Sequence, residues 1–173
     1  MKPTYNSYAY ISSGIKLNLS STQGLNKNKT LNQLLNGKYK DKNYSFNLVT
    51  KISPERFNTV ALTKFGARIF TISYYDNHLD FVPTPLIKAT SKIRPEYILA
   101  DIQLVYWPLD EIRKNLTGDV EILESKNGKG FTRTLSKNGK IFIEISYSTK
   151  DKWNSKIRYR HLERKYEYTI ENL

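Results

Sequence analysis

Residues 95–106, PEYILADIQLVY, form the one long segment whose apolar side chains recur at helical spacing, while the segments around it alternate with a period of two between turn signals. A chain patterned this way has to fold as a sheet that accommodates an inserted helix. Ile98, Ile102 and Val105 recur at i, i+4 and i+7, with Leu99 and Tyr106 beside them, and Pro95 suits the first helical turn. The following DIQLVYWP motif ends in Trp107 and Pro108, and Pro108 interrupts the helix. A second short helix is predicted from Leu109, Ile112 and Leu116 and is stopped by Gly118. The expected result is a cupped sheet with this 91–117 insert as a lid, a shape better suited to holding something apolar than to chemistry.

The strands are read from alternation and turns. Ile11 to Leu19 suits an edge strand within an N-terminal segment that spans residues 1–30. Strands follow over 30–40 and from Tyr44 to Ile52, then over 57–64, 68–75 and 78–82, with Phe65-Gly66-Ala67 and Asp76-Asn77 as corners. After the helices the sheet resumes over 120–125, 131–137 and 140–147, the last pair joined by the hairpin signature Asn138-Gly139. Segments 156–162 and 165–170 complete about ten or eleven strands. The predicted class is mainly β, a curved and open antiparallel sheet with a helical lid, in one domain over 1–173.

Composition supports extended structure and narrows function. Aromatic residues make up 13% of the chain, with 13 Tyr, and rings favour a pleated, half-buried surface. No run approaches the ~18 apolar residues of a membrane-spanning helix. The net charge of +12 invites a nucleic-acid reading, but the cations spread from Lys2 to Lys165, and 20 Lys against 8 Arg fits an AT-rich coding sequence. No nucleic-acid partner is expected. Cysteine is absent, which removes disulfides, thiolate nucleophiles and Cys-based metal sites, and two histidines alone argue against a zinc centre.

Catalytic machinery needs converging titratable groups. His78 and His161 are the only imidazoles, and no G-x-S-x-G or H-E-x-x-H motif accompanies them. An enzyme would need a polar cleft around His161, Tyr159 and Asp101; no catalytic residue, metal or cofactor is predicted. The apolar set is more suggestive. Phe46, Leu48, Ile52, Phe70, Ile72 and Tyr74, with Ile143 and Ile145, supply one face of the sheet, and Ile98, Ile102, Val105 and Trp107 supply the helix face. Packed on one another they make an ordinary core; incompletely closed, they line an apolar cavity in which each lipid methylene buried contributes about 0.8 kcal/mol. Lys156, Arg158 and Arg160 put three cations on one strand face, suited either to head groups at an anionic surface or to a solvated exterior.

The blocks LTKFGARIFTISY (62–74), ADIQLVYWPL (100–109), IEISY (143–147) and RYRHLERKYEYTIE (158–171) resemble an uncharacterised family of bacterial outer-membrane lipoproteins related in fold to the lipoprotein-localisation factors LolA and LolB. The resemblance runs from about Leu31 to the C-terminus. It implies a half-barrel of about eleven strands with helices over the concave side, a bound acyl or aryl-polyene lipid, and residence at the outer membrane facing the periplasm, as a monomer held by a lipid anchor. Members of that family accompany genes for acyl or aryl-polyene lipid synthesis. Such an anchor needs an N-terminal cysteine, which this chain lacks, so the expectation is that the lipidated start was trimmed away. The function expected is therefore a periplasmic or tethered carrier of a hydrophobic ligand, in which the helix shifts when an acyl chain enters. The alternative is an envelope interaction module with a fully packed core.

Overall fold

Hairpin geometry organises most of this chain. In the computed structural model, which describes residues 3–87 and 93–173, each strand of the large sheet pairs antiparallel with its neighbours. The strands are β1 (Tyr8–Ser12), β2 (Ile15–Asn18), β3 (Lys29–Tyr39), β4 (Lys42–Ile52), β5 (Phe57–Leu62), β6 (Arg68–Tyr75) and β7 (His78–Pro83). Helices α1 (Pro95–Tyr106) and α2 (Leu109–Asn115) follow, then β8 (Leu116–Thr117), β9 (Glu121–Asn127), β10 (Gly130–Lys137), β11 (Lys140–Tyr147), β12 (Ile157–His161) and β13 (Tyr166–Asn172). The large sheet runs β7-β6-β5-β4-β3-β13-β12-β11-β10-β9, so β7 and β9 are its edges and it does not close into a barrel. Two of its turns take positive φ at both central residues, Asp76-Asn77 and Asn138-Gly139, as tight hairpins of this twist require.

The first helix runs over the residues expected, whereas the second stops at Asn115 and Leu116, expected within it, begins β8; residues 91 and 92 of the predicted insert lie outside the described residues. The N-terminal segment differs. Instead of one edge strand, Ser13 and Gly14 turn β1 back along β2, and β8 adds to β2 to form a separate three-stranded sheet. The small sheet closes tightly at this point, because Gly118 brings the backbone after β8 so close to Gly14 that a Cβ there would lie 2.3 Å from the Gly14 carbonyl oxygen. A second difference lies in β11. A register shift at Leu135/Ser136 turns Phe142 inward and leaves Ile141 exposed, so the expected alternation holds only from Ile143 onward.

The inner face of the large sheet wraps around α1. Side chains of β3, β10, β11, β12 and β13 all bond to this helix or its C-terminal residue, which places it inside the bend of the sheet rather than over its mouth. Leu99, Ala100, Leu104 and Val105 are fully buried and belong to one apolar cluster with Phe57, Ile72, Ile143, Ile145 and Ile157. The helix therefore forms part of the core it was expected to cover. Its burial removes several large side chains from water, each worth about 1.5–3 kcal/mol.

Candidate functional site

Two ends of α1 meet the sheet differently. At the C-terminal end the contact is closed and polar groups lock it. Arg133 of β10, almost fully buried, donates Nη1 to the carbonyls of Leu104 and Trp107 (3.1 Å for the latter), while its Nη2 pairs with Glu124 at 2.7 Å. A cation at a helix C-terminus satisfies carbonyls that have no partner within the helix and complements the helix dipole. Tyr147 donates to the Val105 carbonyl, Gln33 donates to the Tyr106 hydroxyl at 2.7 Å, and Gln103 bonds both the amide and the carbonyl of Ser20. Burial raises the Tyr106 hydroxyl to about 12 and the Tyr147 hydroxyl further, so both stay protonated at neutral pH.

The N-terminal half is more open. Tyr97, Ile98, Asp101 and Ile102 remain partly exposed, as do Phe46 and Tyr166 on the facing inner side of the sheet, and Tyr44 is more than one-third exposed. Together they border a seam between α1 and strands β4, β3 and β13. Rings continue it: Tyr44 stacks on Phe46 at 5.9 Å, Phe46 meets Phe70 at 6.2 Å, Phe70 meets Phe81 at 5.7 Å, and Phe81 meets Tyr5 at 5.9 Å. Gly37 is what lets Tyr44 lie flat across β3, since any side chain there would collide with the Tyr44 ring.

At the polar end of the seam sits Asp101. Its carboxylate accepts from Tyr159 Oη at 2.7 Å and from Tyr166 Oη at 2.9 Å, with Tyr159 stacked on Tyr168 at 4.7 Å. No lysine or arginine pairs with it among the described residues, and burial raises it to about 7 despite both hydroxyls and the more distant Arg164. Arg164 instead lies over Tyr97, 5.2 Å from the ring centre, and donates to the Tyr10 carbonyl.

The positions expected to line a cavity divide along this boundary. Leu48, Ile52, Phe70, Ile72, Tyr74, Val105, Trp107, Ile143 and Ile145 are buried, whereas Phe46, Ile98 and Ile102 border the seam. Lys156, Arg158 and Arg160 lie on the outer face, and each pairs with a carboxylate of an adjacent strand: Glu171 at 3.0 Å, Glu167 at 2.9 Å and Glu144 at 3.3 Å respectively. A groove of about 470 Å³ bordered by Asn36, Asn43, Tyr44, Arg158, Glu167 and Tyr168 is open, with a mixed lining of rings and polar groups. The cleft expected of an enzyme is brought together only in part. Tyr159 and Asp101 bond directly, but both His161 nitrogens are occupied: Nδ1 accepts from the Arg164 amide, so Nε2 donates to the Ile11 carbonyl at 2.8 Å. This holds the ring in one tautomer, and burial lowers its proton affinity.

Sequence reasoning did not name Tyr44, Tyr166 or Arg133 as site residues; the partners of Tyr166 and Arg133 at α1 lie 26 to 65 positions away, and Tyr44 was read only as the start of a strand. A family described as Protein of unknown function (DUF3261) matches residues 30–173, which hold both helices and all of the large sheet but the first residue of β3. The chain belongs to the DUF3261 family. No curated protein matches it. In this DUF3261 chain, residues 1–29 lie outside the matched region, and β1 among them packs against α1 and the β12–β13 turn.

Proposed function

We propose that the protein binds the apolar chain of a lipid in the seam between α1 and strands β4, β3 and β13, and that it works as a carrier or holder of that lipid in the cell envelope. One observation carries this reading: inner-face apolar residues beside the N-terminal half of α1 are partly accessible, while those beside its C-terminal half are sealed. An apolar path with one polar end suits an amphipathic ligand, because a tail gains free energy from leaving water while a head group keeps its hydrogen bonds near Asp101 and its tyrosines. The ring path from Tyr44 to Tyr5 suits a conjugated or unsaturated chain, which stacks on aromatic faces.

The locked C-terminal end restricts how α1 responds. Arg133, Tyr147 and Gln103 hold it, so a ligand widens the seam by tilting the N-terminal half instead of lifting the whole helix. The resemblance to the Lol factors supports a half-barrel carrier of acyl or aryl-polyene lipid, tethered at the outer membrane and facing the periplasm. The other reading, an interaction module with a packed core, is favoured by the complete burial of Leu99, Leu104 and Val105. Titration with cis-parinaric acid, a conjugated fatty acid that fluoresces in apolar surroundings, separates the two. Saturable enhancement that oleate displaces is expected; no enhancement at any concentration would favour the packed module.

A further inference from the structure

The antiparallel order brings four hairpin turns of the large sheet to one end: β3–β4 at Lys40, β5–β6 at residues 63–67, β10–β11 at Asn138 and β12–β13 at residues 162–165. The first turn of α1 reaches the same end, where Arg164 covers Tyr97. So does the segment after β7, whose Thr84 amide donates to the Ile69 carbonyl. Large apolar side chains are exposed at these tips. Phe65 is 87% and Leu86 55% exposed, and Tyr39, Ile141 and Leu162 are also exposed. At the opposite end of the sheet, Leu173 alone among the described residues combines size, apolarity and exposure.

Cations alternate with these tips. Lys40 lies over the Tyr39 ring and Lys64 over the Phe65 ring, at 5.4 and 5.0 Å, and Arg68, Lys140 and Lys165 stand beside the same turns. None of these five forms an ion pair among the described residues, in contrast to Lys156, Arg158 and Arg160 on the outer face. Unneutralised cations interleaved with protruding apolar side chains match the two layers of an anionic bilayer, phosphates at the surface and acyl chains below. A soluble polyanion would use the charges but would gain nothing from Phe65 and Leu86.

We propose that this rim of hairpin tips is a docking surface for an anionic lipid bilayer. Phe65 and Leu86 enter the head-group boundary, Lys40, Lys64, Arg68 and Lys165 meet phosphates, and the N-terminal end of α1 faces the membrane. Docking does not require the seam to hold a ligand, so the two claims fail separately.

The test is co-flotation with vesicles of phosphatidylcholine alone or with one-quarter phosphatidylglycerol, with folding checked by circular dichroism. The protein is expected to float with the anionic vesicles and not with the neutral ones. Phe65→Ser with Leu86→Ser, and separately Lys64→Glu with Arg68→Glu and Lys165→Glu, should each weaken binding by about tenfold or more while cis-parinaric acid uptake is unchanged. Lys126→Glu with Lys129→Glu, at the far end, should leave flotation unchanged. The proposal is overturned if the unaltered protein stays unbound, or if the far-end variant loses as much as the rim variants. It is also overturned if the apolar variant binds normally and duplex DNA competes with vesicles, which would make the rim a polyanion site.

Discussion

Asp101 carries a cost that its surroundings only partly offset. A buried carboxylate whose folded value lies near 7, against about 4 in the unfolded chain, favours the fold most when protonated. Its stabilising effect is complete below about pH 4 and is lost as the pH rises toward and through 7. The effect amounts to a few kcal/mol at most, because each tenfold change in proton affinity corresponds to about 1.4 kcal/mol. In Asp101→Asn this part of the pH dependence should vanish, so urea unfolding at pH 5 and pH 8 should give a smaller difference than in the unaltered protein. An equal difference in both would mean that Asp101 is fully solvated. The pairing of Asp101 with Tyr159 was legible in the sequence as a candidate polar cleft. The Tyr166 contact was not, because it bridges 65 positions and depends on the register of β13 against β12.

At the scale of elements, α1 was readable to its end residues because Pro95 and Pro108 bound a regular apolar spacing. Which face it buries was less readable. Leu99, Gln103 and Tyr106, with Ala100 and Leu104, face inward, whereas Ile98 and Ile102 from the expected stripe lie along the seam. The chain buries Gln103 in place of an apolar residue because its amide satisfies both backbone groups of Ser20. A glutamate at Ile102 and one at Val105 should therefore behave differently. Val105→Glu places a charge where no water reaches and should cost more than about 4 kcal/mol, a large share of the roughly 5–15 kcal/mol that holds a protein of ordinary stability folded. Ile102→Glu should cost about 1 kcal/mol. Chemical denaturation of both variants checks this, and equal losses would show that the seam is as tightly packed as the core.

For the whole molecule, the strand order follows from hairpins that the turn residues announce, and this is why most of the large sheet could be read from alternation alone. The pairing of β3 with β13, which joins its two halves across 127 to 139 positions, has no local signal. Nor has the partnership of β2 with β8. The outcome is an open sheet bent around a helix, anchored at one end and accessible at the other, with its basic and apolar tips at the accessible end. Native mass spectrometry of the unaltered protein and Ile102→Glu, each purified without detergent from a bacterial envelope, tests the central claim most directly. A lipid mass on the unaltered protein that solvent extracts, and its absence from Ile102→Glu, is the predicted result. Two apo proteins that take up no added lipid, or two that carry the same lipid equally, would contradict it.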